Sequence, residues 1–344
     1  MSRHLALLAL AALGAATGCI GSGFDLTDLP GEPLAIVYRT RDESERRVEL
    51  MKNAKESALK RERGSTYEAN YLRLEAAADA LGLGRTTAEK AADLLGRMST
   101  VDARHEAVEP FEFAFRGDRP LDWSPDHGRL LFASLRSDAV QLYEWDRASG
   151  DVRPLTMGPA EHSAGSYGPD GRLVMSEQLR APDGKARVSR IVVTEPGGGA
   201  PRPLTEGPGD LKPEWSPDGR WIAYETRDAA GNPAVASVPA DGSAPPRILA
   251  PGRDPTFTPD GQFVVYSART RAGWRLAEMH PDGQAKRPVG SGPRDEHDPR
   301  VSPDGRYVVY VYDDEGRQQL RVRTMDGRKD RPLIWNGDGI TPVW

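Results

Sequence analysis

The sequence predicts an all-β fold: a six-bladed β-propeller closed by pairing of its N- and C-terminal strands, with a small α-helical insertion. Three observations predict it. A turn motif recurs at steps of 42 to 48 residues, in DWSPDHGRLLFAS, SYGPDGRLVMSE, EWSPDGRWIAYET, TFTPDGQFVVYSA and RVSPDGRYVVYVY. Each copy is followed by a second turn and a short edge segment, in most copies bearing a proline. A sixth copy breaks off after TPVW, and its missing strands can be found near the other end of the chain.

The first turn of each copy has a local cause. A short apolar run ends at Trp123, Tyr167, Trp215, Phe257 or Val301, and Trp344 continues the series. Proline then presets φ for one turn corner, aspartate suits the next, and glycine accepts the left-handed conformation that closes a hairpin. After the turn the sequence alternates, as in Arg220-Trp221-Ile222-Ala223-Tyr224-Glu225, which predicts a strand with one buried face. A third strand follows, such as Val188–Thr194 or Gln319–Thr324. Then come the turns Ser149-Gly150, Gly197-Gly198, Asp241-Gly242, Asp282-Gly283 and Asp326-Gly327. The segments Arg153-Pro154-Leu155-Thr156, Arg202-Pro203-Leu204-Thr205 and their counterparts end each copy. Proline there fits an edge strand, where no ladder needs its N–H. The unit thus has four antiparallel strands, A to D from inside out, and four strands per ~40–50 residues make one propeller blade.

WSPDGRWIAY with a later DG turn and R-P-L-T resembles the TolB-type (WD40-like) β-propeller repeat, over roughly Leu121 to Trp344. The resemblance implies fold more sharply than function. Propellers of this type serve as protein-binding platforms, as sugar-active enzymes and as the non-catalytic half of prolyl peptidases.

In the sixth copy, Ile340–Trp344 reads as strand A alone. Leu34–Asp42 matches strand B of the Glu214 copy, Arg47–Leu50 can serve as C, and Glu109–Phe113 stands where other copies have R-P-L-T. The alternative is an unrelated hairpin at 34–50 and five blades. Between the proposed C and D strands, residues 52–100 are rich in Ala, Glu, Lys, Arg and Leu and lack proline. Capping residues and apolar spacing predict helices over Tyr67–Leu81 and Ala88–Met98. Leaving from a C–D loop, they are expected on the face that carries the SPDG turns. The domain reading is therefore 1–18 signal peptide, 19–33 lipidated cysteine and tether, 34–51 and 101–344 propeller, and 52–100 insertion.

Arg3, the apolar run Leu5–Ala16 and Ala16-Thr17-Gly18-Cys19 form a targeting signal. The last four residues resemble a bacterial lipobox, which implies acylation of Cys19; the alternative is ordinary secretion. Cys19 is the only cysteine, so it has no intrachain disulfide partner in an oxidising compartment. Ile20 after it favours the outer membrane by family expectation, with the protein facing the periplasm. The anchor is then the only membrane contact, because no other stretch of ~20 apolar residues exists. A formal net charge of −5 argues against nucleic-acid binding.

The candidate site is the rim where D–A loops open on the channel: Asp118, Glu161, His162, Asp210, Asp254, Glu296, His297, Asp298 and Asp338. Carboxylates and imidazoles there can hold a peptide or a small cation, or they can be a solvated acidic rim. No dedicated metal ligands, cofactor or catalytic residues are identified; G-x-S-x-G and H-E-x-x-H are both absent. The expected function is a lipid-anchored envelope platform that binds a protein or peptide. The alternative is a carbohydrate-active enzyme working at the channel mouth.

Overall fold

The repeated turns form as their residues dictate. In the third repeat Gly219 adopts φ 71° and its N–H donates to the Ser216 carbonyl at 2.8 Å. The Ser216 hydroxyl donates to Asp218 at 2.6 Å, and Thr258–Asp260 and Ser302–Asp304 repeat the bond at the same distance. That hydroxyl, with Arg220, holds the Asp218 carboxyl down at about 2. The structure, a computed structural model, describes residues 26–45, 48, 96–102, 107–115, 117–137, 139–180, 187–194, 200–207, 209–290, 295–314, 317–334 and 337–344.

Among these residues the chain is an all-β, propeller-like arrangement of antiparallel sheets with almost no helix. The strands are β1 (Leu34–Arg39), β2 (Arg97–Asp102) and β3 (Ala107–Pro110), then β4 (Arg119–Trp123), β5 (Arg129–Ser134), β6 (Gln141–Asp146) and β7 (Val152–Pro154). They continue as β8 (Glu161–Tyr167), β9 (Leu173–Arg180), β10 (Arg187–Val193) and β11 (Arg202–Pro203), then β12 (Leu211–Trp215), β13 (Trp221–Arg227), β14 (Pro233–Pro239) and β15 (Arg247–Phe257). Next are β16 (Val264–Thr270), β17 (Gly273–Met279) and β18 (Arg287–Pro288), then β19 (Glu296–Val301), β20 (Tyr307–Asp314), β21 (Arg317–Thr324), β22 (Asp330–Pro332) and β23 (Asp338–Val343). β4–β7, β8–β11 and β19–β22 are four-stranded meanders, and β12–β18 is one seven-stranded sheet. In that sheet β15 has two roles. Arg247–Pro251 pairs with β14 as an outer strand, and Gly252–Phe257 pairs with β16 as an inner one. The outer strands β7, β11, β18 and β22 are two or three residues long and carry Pro154, Pro203, Pro288 and Pro332, which blunts their edges.

The fifth sheet has the order β23-β1-β2-β3. β23 pairs with β1 through Ala35↔Val343 and Val37↔Ile340, so residues from the two ends of the sequence share one ladder. Two sequence expectations for this sheet are corrected. Its third strand is Arg97–Asp102, not Arg47–Leu50, and its outer strand is Ala107–Pro110, not Glu109–Phe113. Met98, expected on a helix, is fully buried in β2. Residues 41–45 are helical instead, capped by Thr40 and Glu43: the Thr40 N–H donates to Glu43 Oε2 at 2.8 Å. The segment between Val48 and Gly96 therefore leaves from a B–C connection. That puts its ends on the face of the D–A loops, opposite the SPDG turns; Ser44 there donates to Asp338 at 2.7 Å. The predicted helix Tyr67–Leu81, and all of Ala88–Met98 before Gly96, lie outside the described residues, as do the signal region and Cys19. The tether read at 19–33 ends sooner than expected, because Leu26 and Leu29 are buried against Val309 and Leu333.

The core lies between sheets. Trp215 packs with Val174 and Ile191 of the preceding repeat, Phe257 with Ala223 and Val235, and Val301 with Val265 and Leu276. Each such side chain contributes about 1.5–3 kcal/mol on burial. The position ahead of the SPDG turn is thus a wedge between sheets.

Candidate binding site at the channel mouth

Six inner strands, β4, β8, β12, β15, β19 and β23, line one small cavity of about 100 Å³. Each contributes the residue just ahead of its wedge position: Asp122, Ser166, Glu214, Thr256, Arg300 and Val343. Three of these tie one inner strand to the next. Asp122 accepts the Tyr167 N–H at 2.8 Å, Ser166 accepts the Trp215 N–H at 3.1 Å, and Glu214 accepts the Phe257 N–H at 3.1 Å and the Thr256 hydroxyl at 2.7 Å. Arg300 stands 3.6 Å from Glu214 across the cavity. Burial, reinforced by the charge of Glu214, pushes the Asp122 carboxyl up to about 7, against the Tyr167 N–H and Arg300, which pull it down.

This shift gives a pH prediction. The folded pKa of Asp122 is raised above its ordinary 3.8, so the folded state holds a proton that the unfolded state releases between about pH 4 and 7. The stabilisation is fully present below pH 4 and lost as pH rises through 7. Asp122→Asn should match the wild type in melting temperature near pH 4 and exceed it at pH 8. A constant difference across that range, measured by circular dichroism, would refute the assignment.

Nearer the D–A loops, the inner strands bulge. Lys212, Asp254, Asp298 and Thr341 each stand three residues before a wedge position and take φ of 48°, 53°, 45° and 49°. The β12, β15 and β19 registers shift at these points. None is glycine, so each conformation costs about 1–3 kcal/mol and persists only because surrounding structure enforces it. The bulges turn three side chains toward one another. Lys212 Nζ bonds Asp254 and lies 3.0 Å from Asp298. Burial alone would lower the Lys212 pKa and raise that of Asp254, but their mutual attraction wins; the amine stays charged and the Asp254 carboxyl is held far below its usual range. Arg253 lies over the Trp274 ring at 4.2 Å and donates to His297. Burial and Arg253 together push His297 down to about 4, so it is a neutral acceptor at physiological pH.

The predicted rim is therefore divided. Asp254, His297 and Asp298 come together at the mouth, joined by Lys212, Arg253 and Trp274. Most of the rest are buried fasteners. Asp118 holds the Phe115 N–H and Arg136, Asp210 holds Thr226 and Gly207, and Asp338 holds Ser44 and Gln318. Glu296 pairs with Arg323, both 1% exposed. His162 is buried with Nδ1 3.2 Å from Gln141, and burial lowers its pKa. Glu161, half-buried, opposes Gln178 in the ladder. Among the described residues no group of three or more His, Cys, Asp or Glu is placed to hold a metal ion. The sequence reading missed Lys212, Arg253 and the channel carboxylates Asp122 and Glu214. The available signal was a polar or charged residue immediately ahead of the wedge in all five complete copies.

Residues 182–344 match the family model described as TolB beta propeller domain. Over 136 residues the chain is 30% identical to the Tol-Pal system protein TolB of Bordetella pertussis, covering 38% of this chain and 30% of that protein. The matched stretches span about a third of the length of such relatives. Among solved structures, TolB from Acinetobacter baumannii superposes with a TM-score of 0.64 at 17% identity, over 93% of this chain and 68% of that one. An oligogalacturonate lyase in complex with manganese gives 0.51 at 19% identity, over 70% of each chain. At these identities the structural likenesses establish the fold alone.

Proposed function

We propose that this chain, with its propeller-like fold and its match to the TolB beta propeller model over residues 182–344, is a lipid-anchored platform of the bacterial envelope that binds a protein or peptide at the channel mouth. The observation that supports this most is the run of strained, non-glycine bulges that aim Lys212, Asp254 and Asp298 at one point. A platform needs a rigid, charged and partly exposed surface, and this cluster is one. Lys212 and Asp298 keep 39% and 28% of their side-chain surface exposed, and Trp274 lies under Arg253, which donates to the neighbouring His297. We read the ring as six blades, counting the seven-stranded sheet as two that share β15 and the β23-β1-β2-β3 sheet as the one that closes the circle. The six inner strands around one cavity and the β1–β23 pairing support that count. No helix among the described residues is long and apolar enough to cross a membrane, and the proposed anchor is acylated Cys19 at the outer membrane, facing the periplasm.

One experiment tests both parts. Affinity capture from a detergent-solubilised envelope should recover a partner with the wild type and lose most of it with Asp298→Asn plus Trp274→Ala. Melting temperatures of the two proteins should stay within a few degrees. Equal recovery would move the binding face elsewhere. In the same cells Cys19→Ser should shift the protein from the membrane fraction to the soluble one. Retention of that variant on membranes after a high-salt wash would remove the lipid anchor from the proposal.

A further inference from the structure

The gap between the fourth and fifth repeats is filled by an arginine. Arg323, on β21, is 1% exposed. Its guanidinium donates to the Val289 carbonyl at 2.8 Å, to Glu296 at 2.6 Å, to the Tyr310 hydroxyl at 2.7 Å and to Asp330 at 2.6 Å. Every position in that arrangement has a counterpart in the gap between the second and third repeats. Glu296 stands five residues before Val301, and Asp210 stands five before Trp215. Tyr310 and Tyr224 each stand nine after the same reference points. Val289 follows Arg287-Pro288, and Leu204 follows Arg202-Pro203. Val289 and Leu204 donate their N–H groups to Leu276 and Ile191 in the same way.

The arginine is what differs. Val308 faces Arg323 across the β20–β21 ladder, whereas its counterpart Ile222 faces Val238 across β13–β14. Arg321 is replaced by Ala236 and Asp330 by Pro246 in the same registers. What results is an open cavity of about 280 Å³ lined by Leu204, Asp210, Tyr224, Ala236, Pro246 and Ile248. Tyr224 is 2% exposed, and its hydroxyl makes no hydrogen bond among the described residues. Asp210, 3% exposed, accepts one bond on each oxygen, from Thr226 and Gly207, and a carboxylate can accept about four. Of the charged residues lining the cavity, Glu206 and Asp210 outnumber Arg227, whose guanidinium donates to the Gly231 carbonyl. Other repeats do not repeat this combination. The fourth has Gly252 and Met279 at the acid and arginine positions, and in the first Asp118 is already paired with Arg136.

We propose that this lateral cavity is a receptor for an arginine side chain of a partner protein, which takes the place that Arg323 holds two repeats further on. The guanidinium bonds the Asp210 carboxylate, the Tyr224 hydroxyl and the Leu204 carbonyl, and its aliphatic stem lies on Ile248, which is 51% exposed. Arginine fits better than lysine because a planar fork with five donors can meet three acceptors at once. The site lies on the flank of the ring, so it stands or falls apart from the channel mouth.

The test is calorimetric titration of the full chain with three probes: N-acetyl-arginine methylamide, the lysine analogue, and the neutral citrulline analogue. The arginine probe should bind at least about tenfold more tightly than either of the others, as expected for charge-assisted, forked bonds. Tyr224→Phe, which removes a hydroxyl that supports nothing within the fold, should weaken it by about tenfold. Equal binding of the arginine and citrulline probes, or no loss in Tyr224→Phe, overturns the proposal. Lysine binding as tightly as arginine would mean a general cation site and also overturns it.

Discussion

Glu296→Ala should destabilise the protein by about 3–5 kcal/mol, because it removes the more deeply buried of the two carboxylates that pair with the buried Arg323 guanidinium. Glu296 also accepts the Leu276 N–H at 2.8 Å, so the change orphans a backbone donor as well. Tyr310 and Asp330 remain, but neither replaces the charge directly opposite Nη2. Urea unfolding should show a lower midpoint with an unchanged slope. Adding Arg323→Met removes the buried charge that has lost one of its two partners and should restore much of the loss, as apolar replacement of buried ion pairs often does. The exposed Arg41–Glu45 pair is the control, and its loss should have little effect. A loss below about 1 kcal/mol for Glu296→Ala would mean that the carboxylate is solvated after all.

Deleting residues 338–344 should have an effect of similar or larger size. It removes the inner strand of the β23-β1-β2-β3 sheet and leaves Ala35, Ile36 and Val37 of β1 with an open edge. Val343 is 2% exposed within the cluster around Trp123, and burial of such a side chain is worth about 1.5–3 kcal/mol on its own. Loss of the ladder and of Ile340 and Trp344 packing adds to this, against a total domain stability of about 5–15 kcal/mol. The shortened protein should aggregate or lose its cooperative melt, measured by circular dichroism and size-exclusion chromatography. A melt within a few degrees of the wild type would show that this strand is dispensable. Removal of a tail that pairs with nothing would cost almost nothing.

The contrast between Glu161, His162, Glu296 and His297 illustrates how much of the site was legible. Each Glu-His pair opens an inner strand, but Glu161 and His162 stand six and five residues before their wedge, whereas Glu296 and His297 stand five and four before theirs. The structure buries His162 and Glu296 and brings His297 beside Arg253 and Asp298. Strand alternation decides that one of two neighbours faces the sheet interior, but a bulge shifts the phase, and its place depends on the partner strand. Lys212 and Arg253 escaped notice for the same reason. Asp254 and Asp298 lie 42 and 86 residues from Lys212, and His297 lies 44 from Arg253, in each case on another strand.

The sequence by itself determined the repeat, the turn chemistry, the wedge position and the short proline-bearing edges, because each depends on residues within a few positions of one another. It also matched Leu34–Arg39 to the strand that pairs with β23, since the two share a pattern with a complete copy. Tertiary structure decided that Arg97–Asp102, and not Arg47–Leu50, completes that sheet. Either segment could be extended by its residues alone, and only Arg97–Asp102 brings Met98 and Val101 into the core. It also decided which carboxylates are fasteners, which meet at the mouth, and which gap between repeats is left without an arginine. Those outcomes depend on what a neighbouring repeat, some forty residues away in sequence, places across the gap.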